Sequence, residues 1–183
     1  MARPTPKSSD SRLVNIESHM ADIDIAMVTT IGDASRLVSR PLSTQYVHLE
    51  AGLIRFFTNR SSPKMAELAR DSRINLAYAS KDRNVYVSVA GHGHVNDDPG
   101  VKDALWNDAL KAFFPGGKDD PDLTVLDVRI ESVELWEGPS SWIGKAVGFL
   151  IARVTGREDA MGEQVHIEFQ QPGPATDAST VGR

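Results

Sequence analysis

The residues Phe56-Phe57-Thr58-Asn59-Arg60-Ser61-Ser62-Pro63-Lys64 gather hydroxyls, an amide and an ammonium where a strand meets a helix. Ser at a helix cap and Pro at the first helical position fit the start of a helix at Ser62-Pro63. Lys64 then sits in its first turn. Free backbone N–H groups at a helix start, joined by hydroxyls and an ammonium, form an anion site suited to a phosphate monoester. The plain alternative is that Ser62 only caps the helix and Lys64 is solvated. Upstream lies a second cluster, Ser39-Arg40-Pro41-Leu42. Arg40 shares strand parity with Val38 and Leu42, so an apolar face carries a guanidinium, which needs a fixed anion. That anion is either a ligand or one of the chain's 25 acidic residues in a structural ion pair.

Other polar groups point to less. His92 and His94 alternate on one strand but have no evident third ligand, and a stable metal site needs three or four. Asp119-Asp120-Pro121-Asp122 lacks the spacing of a calcium loop and reads as a turn. The chain has no cysteine, which excludes disulfides, thiol nucleophiles and thiolate metal sites. A formal charge of −5 argues against broad attraction to nucleic acid or anionic lipid. Residues 142–154 are apolar but include Lys145 and Arg153 and are too short to span a bilayer. No secretory signal pattern opens the sequence, and a cytoplasmic location is expected.

These residues need a frame to hold them, and 183 residues with 40% apolar content suffice for one domain with a core. Residues 1–10 and 171–183 are rich in Pro, Ser, Thr, Gly and Asp and read as tails around a domain at 11–170. Leu13, Ile16, Glu17 and Met20 predict a short amphipathic helix. A strand follows at 23–30, with Ile23, Ile25, Met27 and Thr29 on one face. A second, at 36–42, contains Pro41 and therefore belongs at an edge or a bulge. Further strands are predicted at 53–58, 74–79, 84–95 and 124–136. In the last, Val133 and Leu135 break parity with Leu126, Val128 and Ile130, which one extra residue near Glu131-Ser132 would repair.

The helix after Ser62-Pro63 should turn Met65, Leu68 and Ala69 inward. Another, after Asp98-Pro99, should line up Val101, Leu105, Ala109 and Ala112. Ser141 is placed to cap a last helix at 142–154, and 164–169 to add a short strand. The first three strands have no helix between them, which favours an antiparallel barrel over a parallel sheet.

Arg40-Pro41-Leu42 on one strand, then Phe57-Thr58-Asn59 and Ser62-Pro63-Lys64 after the next, resembles the flavin-phosphate signature of pyridoxamine 5′-phosphate oxidase-like proteins. Tyr86-Val87-Ser88-Val89-Ala90-Gly91, Leu105-Trp106, the run from Phe113-Phe114-Pro115-Gly116-Gly117 to Asp122, and Glu134-Leu135-Trp136 resemble its general stress protein 26-like branch. The resemblance covers about residues 10–170. It implies a mainly β (α+β) fold, a six-stranded antiparallel split β-barrel with peripheral helices. It also implies a homodimer with FMN, or FAD, in the groove between protomers.

By that resemblance Arg40, Ser62 and Lys64 hold the phosphate, and Thr58 and Asn59, after Phe57, shape the turn. The backbone at Pro41 and Leu42 runs along the flavin ring. Trp106 and Trp136 are candidates to close the site from the partner protomer, or else pack in the core or dimer seam. Three departures stand out. Leu42 replaces a frequent methionine. Pro63 stands where the oxidase has a second basic residue. His166 lacks the arginines of the oxidase's carboxy-terminal substrate motif. Pyridoxamine phosphate oxidation is therefore not expected. The remaining functions are a flavin-dependent oxidoreductase, a non-catalytic flavin store or sensor in stress, or the same barrel around a deazaflavin or haem.

Overall fold

The computed structural model describes residues 10–138 and 163–169. Residues 1–9 and 171–183 of the two tails, the helix expected at 142–154 and its cap Ser141 lie outside the described residues. Helix α1 (Ser11–Ile23) is capped by Asp10, whose side chain accepts from Arg12 N–H at 3.0 Å, and it buries Ile16 and Met20. Because α1 runs to Ile23, strand β1 begins at Ile25 (Ile25–Ile31) rather than at 23. The joint between them is Asp24, with φ of 61°.

The remaining strands are β2 (Leu37–His48), β3 (Leu53–Asn59), β4 (Arg73–Ser80), β5 (Val85–Asn96), β6 (Leu123–Glu137) and β7 (Glu163–Glu168). Neighbouring strands pair in the order β3-β2-β1-β4-β5-β6-β7, all antiparallel. A further antiparallel pairing of β3 with β6 closes the first six strands into a barrel, and β7 extends the wall from β6. The mainly β six-stranded barrel expected from the sequence is the fold.

The barrel interior is the main core, lined by Ala26, Val28, Ile54, Phe56, Leu76, Val87, Val89, Val128 and their neighbours. Ile25, Met27 and Thr29 do share a face of β1, but it is the outer one; Ala26, Val28 and Thr30 fill the interior. Two helices close the ends. Helix α1 covers the end where β1 starts, with the Glu17 carboxylate accepting from Leu49 N–H. Helix α2 (Pro63–Arg70) covers the other, where Leu68 lies against Gly93 and Glu67 reaches Thr30. It buries Met65 and Leu68 as expected, while Ala69 is exposed and Lys64 and Glu67 are buried instead.

Two elements differ in length from their sequence patterns. β2 continues to His48, with its irregularity between Thr44 and Tyr46. Helix α3 (Pro99–Leu105) stops about two turns early, because the Asn107 side chain accepts from Ala109 N–H and starts a separate 3-10 helix at Asp108–Ala112. That leaves Ala109 and Ala112 exposed and buries Leu110. In β6 the expected extra residue is present. Ala90 faces Ser132 and Gly91 faces Ile130, so Glu131 has no opposite number on β5.

Candidate functional site

A polar cluster forms at the α2 end of the barrel. Thr58 follows the inward parity of Ile54 and Phe56 along β3 and is buried among them. The chain then turns through Asn59 to Ser62, whose N–H donates to the Asn59 carbonyl at 3.1 Å. Asp122 fixes this turn from the start of β6. Its carboxylate accepts from Ser61 N–H at 2.8 Å and from Ser61 Oγ–H at 2.7 Å, and its carbonyl accepts from Arg60 N–H at 2.7 Å. The acidic run read as a turn thus positions the candidate phosphate loop.

Ser62 stands at the cap of α2 but makes no side-chain cap hydrogen bond. Its hydroxyl instead accepts from Lys64 Nζ at 3.0 Å and lies 3.5 Å from Thr58 Oγ1. Lys64 is only 8% exposed. The lysine is thus not solvated, and the serine holds the cap position without using its side chain there. Burial lowers the Lys64 pKa from its ordinary value, and the Arg40 charge lowers it further, against a smaller opposing pull from Glu67. Among the described residues no carboxylate lies within ion-pairing distance of this ammonium. A buried cation with one hydroxyl acceptor has donors to spare, which is the state an arriving anion relieves.

Arg40 lies directly across from Val28, so its guanidinium does extend from the inner face. There Arg40 Nη2 donates to Glu67 Oε2 at 2.8 Å and Nη1 donates to Thr30 Oγ1 at 2.6 Å. The Thr30 hydroxyl donates in turn to Glu67 Oε2 at 2.5 Å. Burial pushes the Glu67 carboxyl up, but the hydrogen bonds from Thr30 and Arg40 and the charges of Arg40 and Arg70 outweigh it. The net shift is downward, so the carboxylate stays ionised. The arginine's fixed anion is therefore Glu67. Sequence reasoning missed Glu67 and Thr30. One signal was present, since Glu67 falls three residues after Lys64 and beside Leu68 on the inward stripe of α2.

Pro41 and Leu42 occupy an edge. Residues 37–43 of β2 pair with β1, while 44–48 pair with β3, so the first half of β2 has one neighbour. A proline fits there because no ladder donor is lost. Leu42 packs partly against the main core, and Pro41 is exposed on the outer face beside Met27. Asn59 is exposed at the end of β3.

The aromatic candidates are placed apart from this cluster. Phe57 has the opposite parity to Thr58 and belongs to a second apolar cluster with Leu110, Leu123 and Val125. Trp106 packs edge-on against it, ring centres 5.9 Å apart. This is the core-packing alternative for Trp106. Trp136 faces outward on β6, opposite Tyr86 of β5. His92 bonds Ser72 Oγ through Nδ1 at 2.8 Å and lies 3.2 Å from Glu131 through Nε2, and His94 is opposite Asp127.

Comparison with known proteins adds a lineage to this geometry. The family profile described as "Pyridoxamine 5'-phosphate oxidase like" matches residues 12–159. General stress protein 26 of Bacillus subtilis strain 168 is 31% identical over 81 residues, which are 43% of this chain and 57% of that protein. The match therefore spans little more than half of that relative's length. The solved general stress FMN/FAD binding protein of Xanthomonas citri is 27% identical, with a TM-score of 0.63 over 72% of this chain and 93% of its own. A haem binding protein of Mycobacterium smegmatis, 14% identical, covers 78% of this chain and 57% of its own with a TM-score of 0.55. At that identity the likeness is one of fold.

Proposed function

The chain belongs to the pyridoxamine 5′-phosphate oxidase-like family, and on that premise we propose that it binds a flavin nucleotide, FMN or FAD, through the cluster at the start of α2. The observation that carries this reading is Lys64, an ammonium kept 8% exposed with, among the described residues, only the Ser62 hydroxyl as acceptor. Lys64 and Ser62 at the start of α2 receive the phosphate, with Arg40 beside them. Thr58 and Asn59 set the path of the turn. Phe57 and Trp106 brace it from behind. The open edge of β2 at Pro41 and Leu42 offers a backbone for the ring system to lie along. The name of the Xanthomonas citri relative, an FMN/FAD binding protein, supports the ligand class.

We also propose a homodimer. The outer face of β1, β4, β5 and β6 carries Ile25, Met27, Tyr86 and Trp136 among small residues such as Ala77, Ala79 and Ser88. An exposed apolar patch of this kind is characteristic of a contact surface. Trp136 lies on that face, where a second copy would bring it towards a ligand.

When bound, a flavin supplies one- and two-electron redox chemistry, and the protein supplies binding and orientation. The test is the absorbance spectrum of the purified protein, followed by FMN and FAD titrations of the wild type, Arg40→Ala and Lys64→Ala. Saturable binding weakened roughly tenfold to hundredfold by Lys64→Ala, the range for a charged hydrogen-bond partner, supports the site. Wild-type protein that binds neither flavin rejects it. Reduction of the bound flavin by a nicotinamide donor, with turnover, would mark an oxidoreductase; binding without turnover would mark a carrier or sensor.

A further inference from the structure

The cation that the sequence points to most directly, Arg40, already has an anion. Glu67 accepts from it at 2.8 Å, and Thr30 ties the two together by donating to the carboxylate and accepting from the guanidinium. Three groups on three elements, β1, β2 and α2, thus close a ring of hydrogen bonds. Glu67 is held ionised within it, facing Arg40 across the barrel end and Arg70 along its own helix. Arg70 in turn bonds Asp33.

Two cations, Arg40 and Lys64, and one anion, Glu67, therefore make up the charge that a phosphate meets. The repulsion between Glu67 and a phosphate grows with the charge on that phosphate. A phosphate monoester is largely doubly charged above a pKa of about 6. A phosphodiester or pyrophosphate linkage carries one charge per phosphorus.

We propose that Glu67 is a specificity-determining residue of this site: by holding Arg40 it reduces the positive charge offered to the ligand, and so disfavours a phosphate monoester with both charges on one phosphorus, as in FMN, relative to a pyrophosphate with its charge spread one per phosphorus, as in FAD. This rests on the flavin reading given above. Arg40 keeps further N–H donors for the ligand, since a guanidinium has five. It is the charge that Glu67 subtracts, not the geometry.

The experiment compares wild type and Glu67→Gln at pH 7.5, titrated separately with FMN, FAD and inorganic phosphate. The substitution keeps the shape of the side chain and removes its charge. The expected result is that Glu67→Gln binds FMN and inorganic phosphate roughly tenfold more tightly, while FAD gains by about threefold, as expected when the phosphate seated beside Glu67 carries two charges in one ligand and one in the other. An equal gain for both flavins, or weaker binding of both, overturns the proposal.

The two readings fail separately. If neither protein binds a flavin but inorganic phosphate tightens in Glu67→Gln, the flavin reading falls and the charge assignment stands. If both flavins bind with an unchanged ratio, the reverse holds. A second measurement covers a variant that does not fold: the phosphorus NMR titration of FMN bound to wild-type protein. A phosphate pKa within about half a unit of the free value supports an offsetting Glu67. A fall of more than about one unit, as expected beside two uncompensated cations, contradicts it.

Discussion

Lys64 holds an ammonium out of water with one serine hydroxyl as acceptor, and burial, then the charge of Arg40, lowers its pKa. A folded-state pKa below that of the unfolded chain means that the folded protein gives up this proton first as pH rises. Between the lowered value and the ordinary 10.5, the unfolded chain binds more protons, so stability contributed by this residue rises with pH. Lys64→Met should flatten that rise and raise the melting temperature of the ligand-free protein near neutral pH by about 2–4 °C, equivalent to ~1 kcal/mol. Melting followed by circular dichroism from pH 7 to 10 checks this; an equal slope in both proteins contradicts it. At this scale the sequence disclosed that Ser62 opens α2 with Lys64 in its first turn and that Arg40 needs an anion, because each follows from local spacing. It did not disclose that Glu67 and Thr30 supply the anion and its tether. Their meeting depends on how α2 lies across the barrel end, which is a tertiary matter.

At the scale of elements, the junction of β5 and β6 is the most constrained. Glu131 is the extra residue, and next to it, across from Ile130, a Cβ on Gly91 would stand 2.1 Å from the Arg129 carbonyl oxygen. Backbone cannot move aside as a side chain can, so Gly91→Ala should lose about 3 kcal/mol of stability, read as a fall in the urea midpoint. A loss below about 1 kcal/mol would mean that the bulge relaxes easily. The bulge was legible because parity changes between Ile130 and Val133, and strands have a period of two. The early end of α3 was less so. The stripe Val101, Leu105, Ala109, Ala112 continues a helical period through Asn107, but the Asn107 side chain caps a new turn there. A local hydrogen bond prevailed over a weak apolar stripe made partly of alanines.

For the whole molecule, the absence of helices among the first three strands pointed to a barrel, and the barrel is closed by β3 against β6. Which face of β1 turns inward was not legible. Both faces are apolar, and the larger residues, Ile25 and Met27, would have been the natural choice for a core. Inside the barrel, however, Ala26 and Val28 of β1 sit among larger residues of other strands, such as Phe56 and Leu76. The larger residues are left outside, Ile25 46% and Met27 43% exposed, on the same face as Tyr86 and Trp136. Met27→Asp, on this outer wall, should leave the barrel folded and halve the mass measured by light scattering at micromolar concentration. A wild type that is already monomeric under those conditions would remove the dimer from the account.

The central claim is that the cluster at Ser62 and Lys64 receives a flavin's phosphate, and the most direct test compares FMN with riboflavin, which lacks it. Equilibrium binding to the wild type and to Lys64→Ala isolates the phosphate's share. Wild-type protein should prefer FMN by roughly tenfold to hundredfold, and Lys64→Ala should remove most of that preference while riboflavin binding is unchanged. Riboflavin bound as tightly as FMN by the wild type, or a preference untouched by the substitution, would contradict it.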